Sequence, residues 1–144
     1  MGHHGDGPAS ILVAVDGSDT SMRAGAYAAG LARRQHAKLI CLYVRSGRAL
    51  ASLNPALAGP LRQAHDALVE ELRETLETSA RRLGIEAELI ERTGNPAAEI
   101  ARVADELAVD AVVVGASTQA GHRFVGSIAG HLVRIARWPV TVVP

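Results

Sequence analysis

Short apolar runs alternate with stretches of helical period along the whole chain, and this alternation restricts the fold more than any other feature. Ile11-Leu12-Val13-Ala14-Val15 is an uninterrupted apolar run, the pattern of a strand covered on both faces. Lys38 to Val44 and Ala111 to Val114 read the same way. Ile85 to Glu91 instead sets Ile85, Ala87 and Leu89 against Glu86 and Glu88, as a strand with one solvated face does. That pattern predicts an edge strand. Pro139 to Val143 closes the chain, and a leading proline suits an edge as well.

The intervening stretches read as helices with recognisable ends. Asp16-Gly17-Ser18-Asp19 breaks the first run, and Ser18 or Asp19 can cap a helix running to about Gln35. Its small residues, Ala24, Gly25, Ala28, Ala29, Gly30 and Ala32, allow close approach to a sheet, although the glycines cost helix propensity. Ser46 to Pro60 holds Gly47, Asn54, Pro55, Gly59 and Pro60 and reads as a long loop or broken turn. A long helix follows, with Leu61, Ala64, Leu68, Leu72, Leu76 and Leu83 near helical spacing and Gly84 as its terminating glycine. Asn95-Pro96 is an N-cap followed by proline at the first helical position, and Ala97, Ile100, Ala101, Ala104 and Leu107 mark the buried stripe. Gly115 to Val125 is a loop, and Gly126-Ser127 opens the last helix. Arg134 and Arg137 fall in its last turn, at the negative end of its dipole.

The resulting order, βαβαβαβαβ, predicts an α/β fold: an open, doubly wound parallel five-stranded sheet with right-handed crossovers and helices on both faces. Ligands of such sheets bind beyond the carboxyl ends of the strands, where the strand order reverses. The chemistry is therefore expected in the loops after strands one and four, where glycine, serine and charge cluster.

A chain of 144 residues fits one domain, assigned to residues 10–144, with the glycine- and histidine-rich residues 1–9 as a flexible tail. A domain of this size buries roughly 70% of its unfolded surface and needs no disulfide or structural metal. Fifteen basic residues balance fifteen acidic ones, so no long-range field favours nucleic acid or an anionic membrane. No apolar stretch approaches the ~20 residues of a membrane span. The N-terminus lacks the charged and apolar regions of a signal peptide. Cys41, alone within Leu39-Ile40-Cys41-Leu42, reads as a small buried strand residue, consistent with a reducing compartment. A cytoplasmic location is expected.

Asp16 ends the first strand. It reads either as a turn carboxylate capping the next helix or as an acceptor for ribose hydroxyls or a base amine, and a carboxylate has acceptor sites for both. Gly115 allows a sharp turn and a close approach to a ligand. Gly126-Ser127 brings backbone N–H groups and a hydroxyl to a helix N-terminus, where the dipole favours an anion such as phosphate. A surface loop with a serine cap is the plainer alternative. Other nucleotide chemistries lack their residues. The sole lysine, Lys38, begins a strand, so there is no phosphate loop with a Gly-Lys-Ser/Thr element. No Gly-x-Gly-x-x-Gly follows a strand. Receiver domains need a lysine after strand five, which is absent. His36, His65 and His131 lie on predicted helices or their ends, as surface or partly buried residues.

Taken in order, Ile11 to Ser18, Lys38 to Val44, Gly94-Asn95-Pro96, Asp110 to Gly115, Gly126-Ser127 and Trp138 to Pro144 resemble the universal stress protein family over nearly the whole chain. The resemblance implies a strand order of 3-2-1-4-5 and a homodimer paired through the C-terminal strand. It also implies an adenine nucleotide, ATP or a relative, with magnesium only through its phosphates. By the same resemblance Asp16 and Val44 contact the adenosine part, and Gly115, Gly126 and Ser127 the phosphate side. Ala14, Val15 and Ile128 complete that set. The family's ATP-binding branch carries a glycine, two residues, a second glycine, nine residues, then glycine and serine or threonine. Gly115 matches the first position, Thr118 stands at the second, and the loop to Gly126-Ser127 is two residues shorter. Gly121, His122 and Arg123 lie inside it, as ligand partners or as solvated residues. A nucleotide-binding regulatory protein with little or no turnover is the function implied. A nucleotide-free dimeric interaction module and a slow ATP hydrolase are the alternatives.

Overall fold

The computed structural model describes residues 7–117 and 126–144. Its strands are β1 (Ser10–Ala14), β2 (Lys38–Arg45), β3 (Ala87–Thr93), β4 (Ala111–Gly115) and β5 (Val140–Val143). Its helices are α1 (Asp19–Gln35), α2 (Arg48–Leu53), α3 (Ala58–Leu83), α4 (Pro96–Glu106) and α5 (Ser127–Ile135). The sheet is parallel in the order β3-β2-β1-β4-β5, with β3 and β5 at its edges. This is the doubly wound arrangement expected from the alternation.

Strand alternation divides the core in two. Ile11 and Val13 point to the α1–α3 side, where they meet Ala24, Ala28, Leu39, Val69 and Leu72. Leu12 points to the other side, with Ile40 of β2, against Ile100, Val103 and Leu132 of the α4–α5 layer. Ile11 and Leu12 are completely buried, each worth about 1.5–3 kcal/mol of transfer free energy. In α1 the alanines make the close approach, since Ala24, Ala28 and Ala32 are fully buried. A side chain at Gly25 would meet Val15 only at an ordinary 3.7 Å, so that glycine is not required by packing.

The caps resolve what the sequence left open. Ser18, not Asp19, caps α1, its hydroxyl accepting from the Ser21 N–H at 3.3 Å. Asn95 caps α4 by accepting from Ala98 N–H at 3.0 Å, and Gly84 ends α3 in the left-handed conformation at φ 67°. Two expectations change. The segment 46–60 is not simply a loop: α2 and a 3-10 turn at Pro55–Leu57 occupy it, and α3 already begins at Ala58. Asn54 accepts from the Ala56 N–H at 3.2 Å, so the Asn-Pro pair starts a new turn instead of leaving the chain irregular. Arg137 lies beyond the end of α5, outside its last turn, and pairs with Asp105, so it ties the segment after α5 to α4.

At the amino end of the sheet, the Asp110 carboxylate accepts from the N–H groups of Ala9 and Ser10 at 2.8 and 3.0 Å. Of the expected tail, residues 1–6 lie outside the described residues, while Ala9 is tied to the sheet through these bonds and through Lys38 N–H.

Cys41 is 5% exposed, and burial pushes its thiol up to about 12. A thiol so placed is inert at neutral pH. We expect no reaction with an aromatic disulfide reagent in the folded protein and one equivalent after denaturation in guanidinium. Rapid labelling without denaturant would contradict the buried position.

Candidate functional site

The strand order reverses between β1 and β4, which leave the carboxyl edge of the sheet toward opposite faces and open a crevice between them. A cavity of about 460 Å³ lies there. Its inner wall is apolar, formed by Leu42, Val44, Ile100, Val114 and Ala129, and its rim carries Asp16, Ser18, Ser46, Ser117 and Ser127. All eight residues singled out from sequence, Ala14, Val15, Asp16, Val44, Gly115, Gly126, Ser127 and Ile128, line this one cavity. Thr118, Gly121, His122 and Arg123 lie outside the described residues.

Asp16 sits in a turn that organises itself. Its Oδ1 accepts from the Ser18 N–H at 2.9 Å, and its own N–H donates to the Ser21 hydroxyl at 3.2 Å. That hydroxyl in turn donates to the Ser18 carbonyl at 3.0 Å. Partial burial pulls the carboxyl upward, but hydrogen bonds from Ser18 and Ser21 outweigh it and hold it below the ordinary carboxylate value. Asp16 is therefore an anion at neutral pH. Of the two alternatives for Asp16, the turn role is the one seen, with Ser18 and not Asp16 capping α1, and the carboxylate keeps acceptor capacity at the rim. Gly17, next in the chain, is at φ +86°, and an added side chain would press on Leu68 at 3.0 Å. The positive φ calls for a glycine there, while the Leu68 methyl could give by a few tenths of an ångström.

Gly115 behaves differently from expectation. It stays in β4, paired with Val143, and not in a sharp turn. An added Cβ would lie 2.6 Å from the Thr20 carbonyl carbon and 2.8 Å from the Ser21 nitrogen. The glycine admits the first turn of α1, whatever else occupies the cleft. Gly126 caps α5 in an extended conformation without a side-chain bond, and a Cβ there would meet Ser117 at 2.8 Å. Ser127 is the first helical residue, not the cap.

The site also draws on positions that the rule for strands one and four leaves out. Ser46 follows β2, while Pro96 and Ile100 belong to the start of α4 after β3. All three lie near the carboxyl edge of the sheet, so extending the rule to every strand end would have found them. Thr20 and Ser21, both 5% exposed, had no distinct signal within a helix of small residues. Chemically, the cavity offers an apolar slot for a flat ring, a carboxylate and hydroxyls for a polyol, and the positive end of α5 for an anion. Among the described residues, Asp16 is the one charged side chain in its lining, and no three potential metal ligands cluster.

The model of the universal stress protein family matches residues 9–144. Universal stress protein YxiE of Bacillus subtilis is 32% identical, covering 92% of this chain and 97% of that protein. Among solved structures, universal stress protein UspA from Lactobacillus plantarum has a TM-score of 0.82 at 29% identity, over 94% of this chain and 97% of that one. A universal stress protein solved in complex with cAMP has a TM-score of 0.62 at 28% identity, over 94% and 96%.

Gly115→Ala should destabilise the protein by about 1–3 kcal/mol even without ligand, because the methyl group displaces the start of α1. Urea unfolding measures this, and an unchanged midpoint would refute the packing role. The lowered carboxyl of Asp16 sets the sign of a second effect. Its contribution to stability is complete above the ordinary carboxylate value of about 3.9 and fades as pH falls through the lower native one. The stability difference between the wild type and Asp16→Asn should shrink from pH 5 toward pH 2. A difference constant over that range would contradict the shift.

Proposed function

Because this chain belongs to the universal stress protein family, we propose that its cavity binds an adenine nucleotide and that the protein acts as a regulatory sensor with little or no turnover. One observation carries the reading: an apolar slot at the carboxyl edge of the sheet lies between an anionic acceptor, Asp16, and the N-terminus of α5. The relative solved with cAMP supports it, since that ligand combines an adenine, a ribose and one phosphate. The adenosine part lies against Ala14, Val15, Asp16 and Val44. The phosphate meets Gly115, Gly126, Ser127 and Ile128, where backbone N–H groups and the helix dipole favour an anion. Magnesium enters only on the phosphates of the bound nucleotide. Sensing means that occupancy of the cleft changes affinity for another protein surface.

The same reading makes the protein a homodimer through β5. That strand pairs with β4 along one side, its residues are half-buried, and Val133 beside it is 53% exposed. An unpaired edge next to apolar surface favours strand addition by a second copy. No helix among the described residues is long and apolar enough to cross a membrane. We place the protein in the cytoplasm.

Calorimetric titration with AMP, cAMP and ATP tests the ligand. Saturable binding by at least one is expected, and Asp16→Ala should weaken it about 10- to 100-fold, the cost of losing hydrogen bonds to a charged acceptor. No binding of any of the three at millimolar concentration would remove the nucleotide reading. For the dimer, Val142→Glu should lower the mass measured by light scattering to that of a monomer. An unaltered dimer mass in that variant would remove pairing through β5.

A further inference from the structure

We propose that His65 is a positioning residue of the cavity: locked in its Nε2–H tautomer between Tyr43 and Ser46, it fixes the loop after β2 at the rim. Only the identity of the ligand rests on the nucleotide reading. Tyr43 lies on β2 and is 3% exposed, and its hydroxyl meets Nδ1 of His65 on α3. The two rings are 5.7 Å apart and tilted by 58°. On the other side of the imidazole, Nε2 is 3.0 Å from the carbonyl oxygen of Ser46. A carbonyl only accepts, so Nε2 carries the hydrogen, and a neutral ring then leaves Nδ1 as an acceptor. The Tyr43 hydroxyl supplies the matching donor, and burial raises its pKa, which keeps it protonated at neutral pH. The opposite tautomer would set a lone pair against the Ser46 carbonyl.

The next residue reinforces the grip. Asp66 pairs with Arg45 at 2.7 Å, and Arg45 also bonds Glu91 of β3 at 3.0 Å. Two consecutive residues of α3 thus hold Tyr43, Arg45 and Ser46 at the end of β2. Ser46 lines the cavity, and Gly47 directly after it turns at φ +89°. A shift of the Ser46 carbonyl would therefore swing the loop that forms this part of the rim. The same helix covers the other rim loop, because Leu68 packs against Gly17 beside Asp16.

The experiment uses the full chain, selectively labelled with 15N-histidine, and AMP as the probe. The free wild type should show the nitrogen shift pattern of an Nε2–H tautomer at His65. His65→Gln presents an amide N–H and a carbonyl at nearly the spacing of the two ring nitrogens. It should keep AMP affinity within about threefold, whereas His65→Leu should lose about tenfold, the equivalent of one to two hydrogen bonds. The Ala51 N–H, which donates to the Gly47 carbonyl at 3.1 Å, reports on the loop without any nucleotide. Its exchange should accelerate about tenfold in His65→Leu and stay near the wild-type rate in His65→Gln. An Nδ1–H or averaged pattern in the wild type would overturn the proposal. So would Ala51 exchange unaffected by His65→Leu, or His65→Gln behaving like His65→Leu. If the wild type binds none of AMP, cAMP and ATP, the nucleotide reading falls, and the tautomer pattern and Ala51 exchange still decide the role of His65.

Discussion

The rest of the structure depends on the complete burial of β1 between β2 and β4. Ile11 and Leu12 have no exposed surface and Val13 has 1%. Their backbone groups are satisfied by parallel partners on both sides, Leu39 to Cys41 and Ala111 to Val113. A strand covered on both faces and paired on both edges lies inside the sheet, and because the neighbours of β1 are β2 and β4, the chain reverses its direction of winding there. The crevice beyond Ala14 and Gly115 is a consequence of that reversal.

What the local residues do is keep the crevice open and chemically defined. Gly115 lets the start of α1 approach β4 closely enough to bury Thr20 and Ser21. The buried Ser21 hydroxyl then supports the turn at Asp16. The carboxylate is stabilised as an anion by the same hydrogen bonds that shape the turn, so its charge and its placement have one cause. The α5 N-terminus, without a side-chain cap at Gly126, faces it across the cleft with the opposite partial charge. On the proposed function, this slot orients the nucleotide with its anion away from Asp16.

The wall formed by the end of β2 is held from outside the sheet. Tyr43, Arg45 and Ser46 are all engaged by α3, a helix that contributes no residue to the cavity lining. Polar bonds between a strand end and a covering helix are directional, so they define where the loop lies, whereas the apolar contacts of Val69 and Leu72 set how tightly the layers pack. These bonds join the helix layer to the end of β2 at the cavity.

The strands, the helices other than α2, their order and the edge positions of β3 and β5 were legible in the sequence, because period-two and helical patterns arise from which face each residue buries. So were eight of the residues that line the cavity, which follow from strand ends and from resemblance to a family whose strand order is the one observed. Sequence also read Asp16 as both a turn residue and an acceptor, since an aspartate before Gly-Ser has acceptor sites for both. Only tertiary structure decided that Gly115 serves the approach of α1, because the clash it avoids is with Thr20, some 95 positions away in the chain. Ser46, Pro96 and Ile100 joined the site for the same reason: short-range patterns do not record which strand ends converge. The partners of His65 are the sharpest case. A histidine near the start of a long helix carries no local sign that a tyrosine and a carbonyl 22 and 19 residues earlier will meet its two nitrogens.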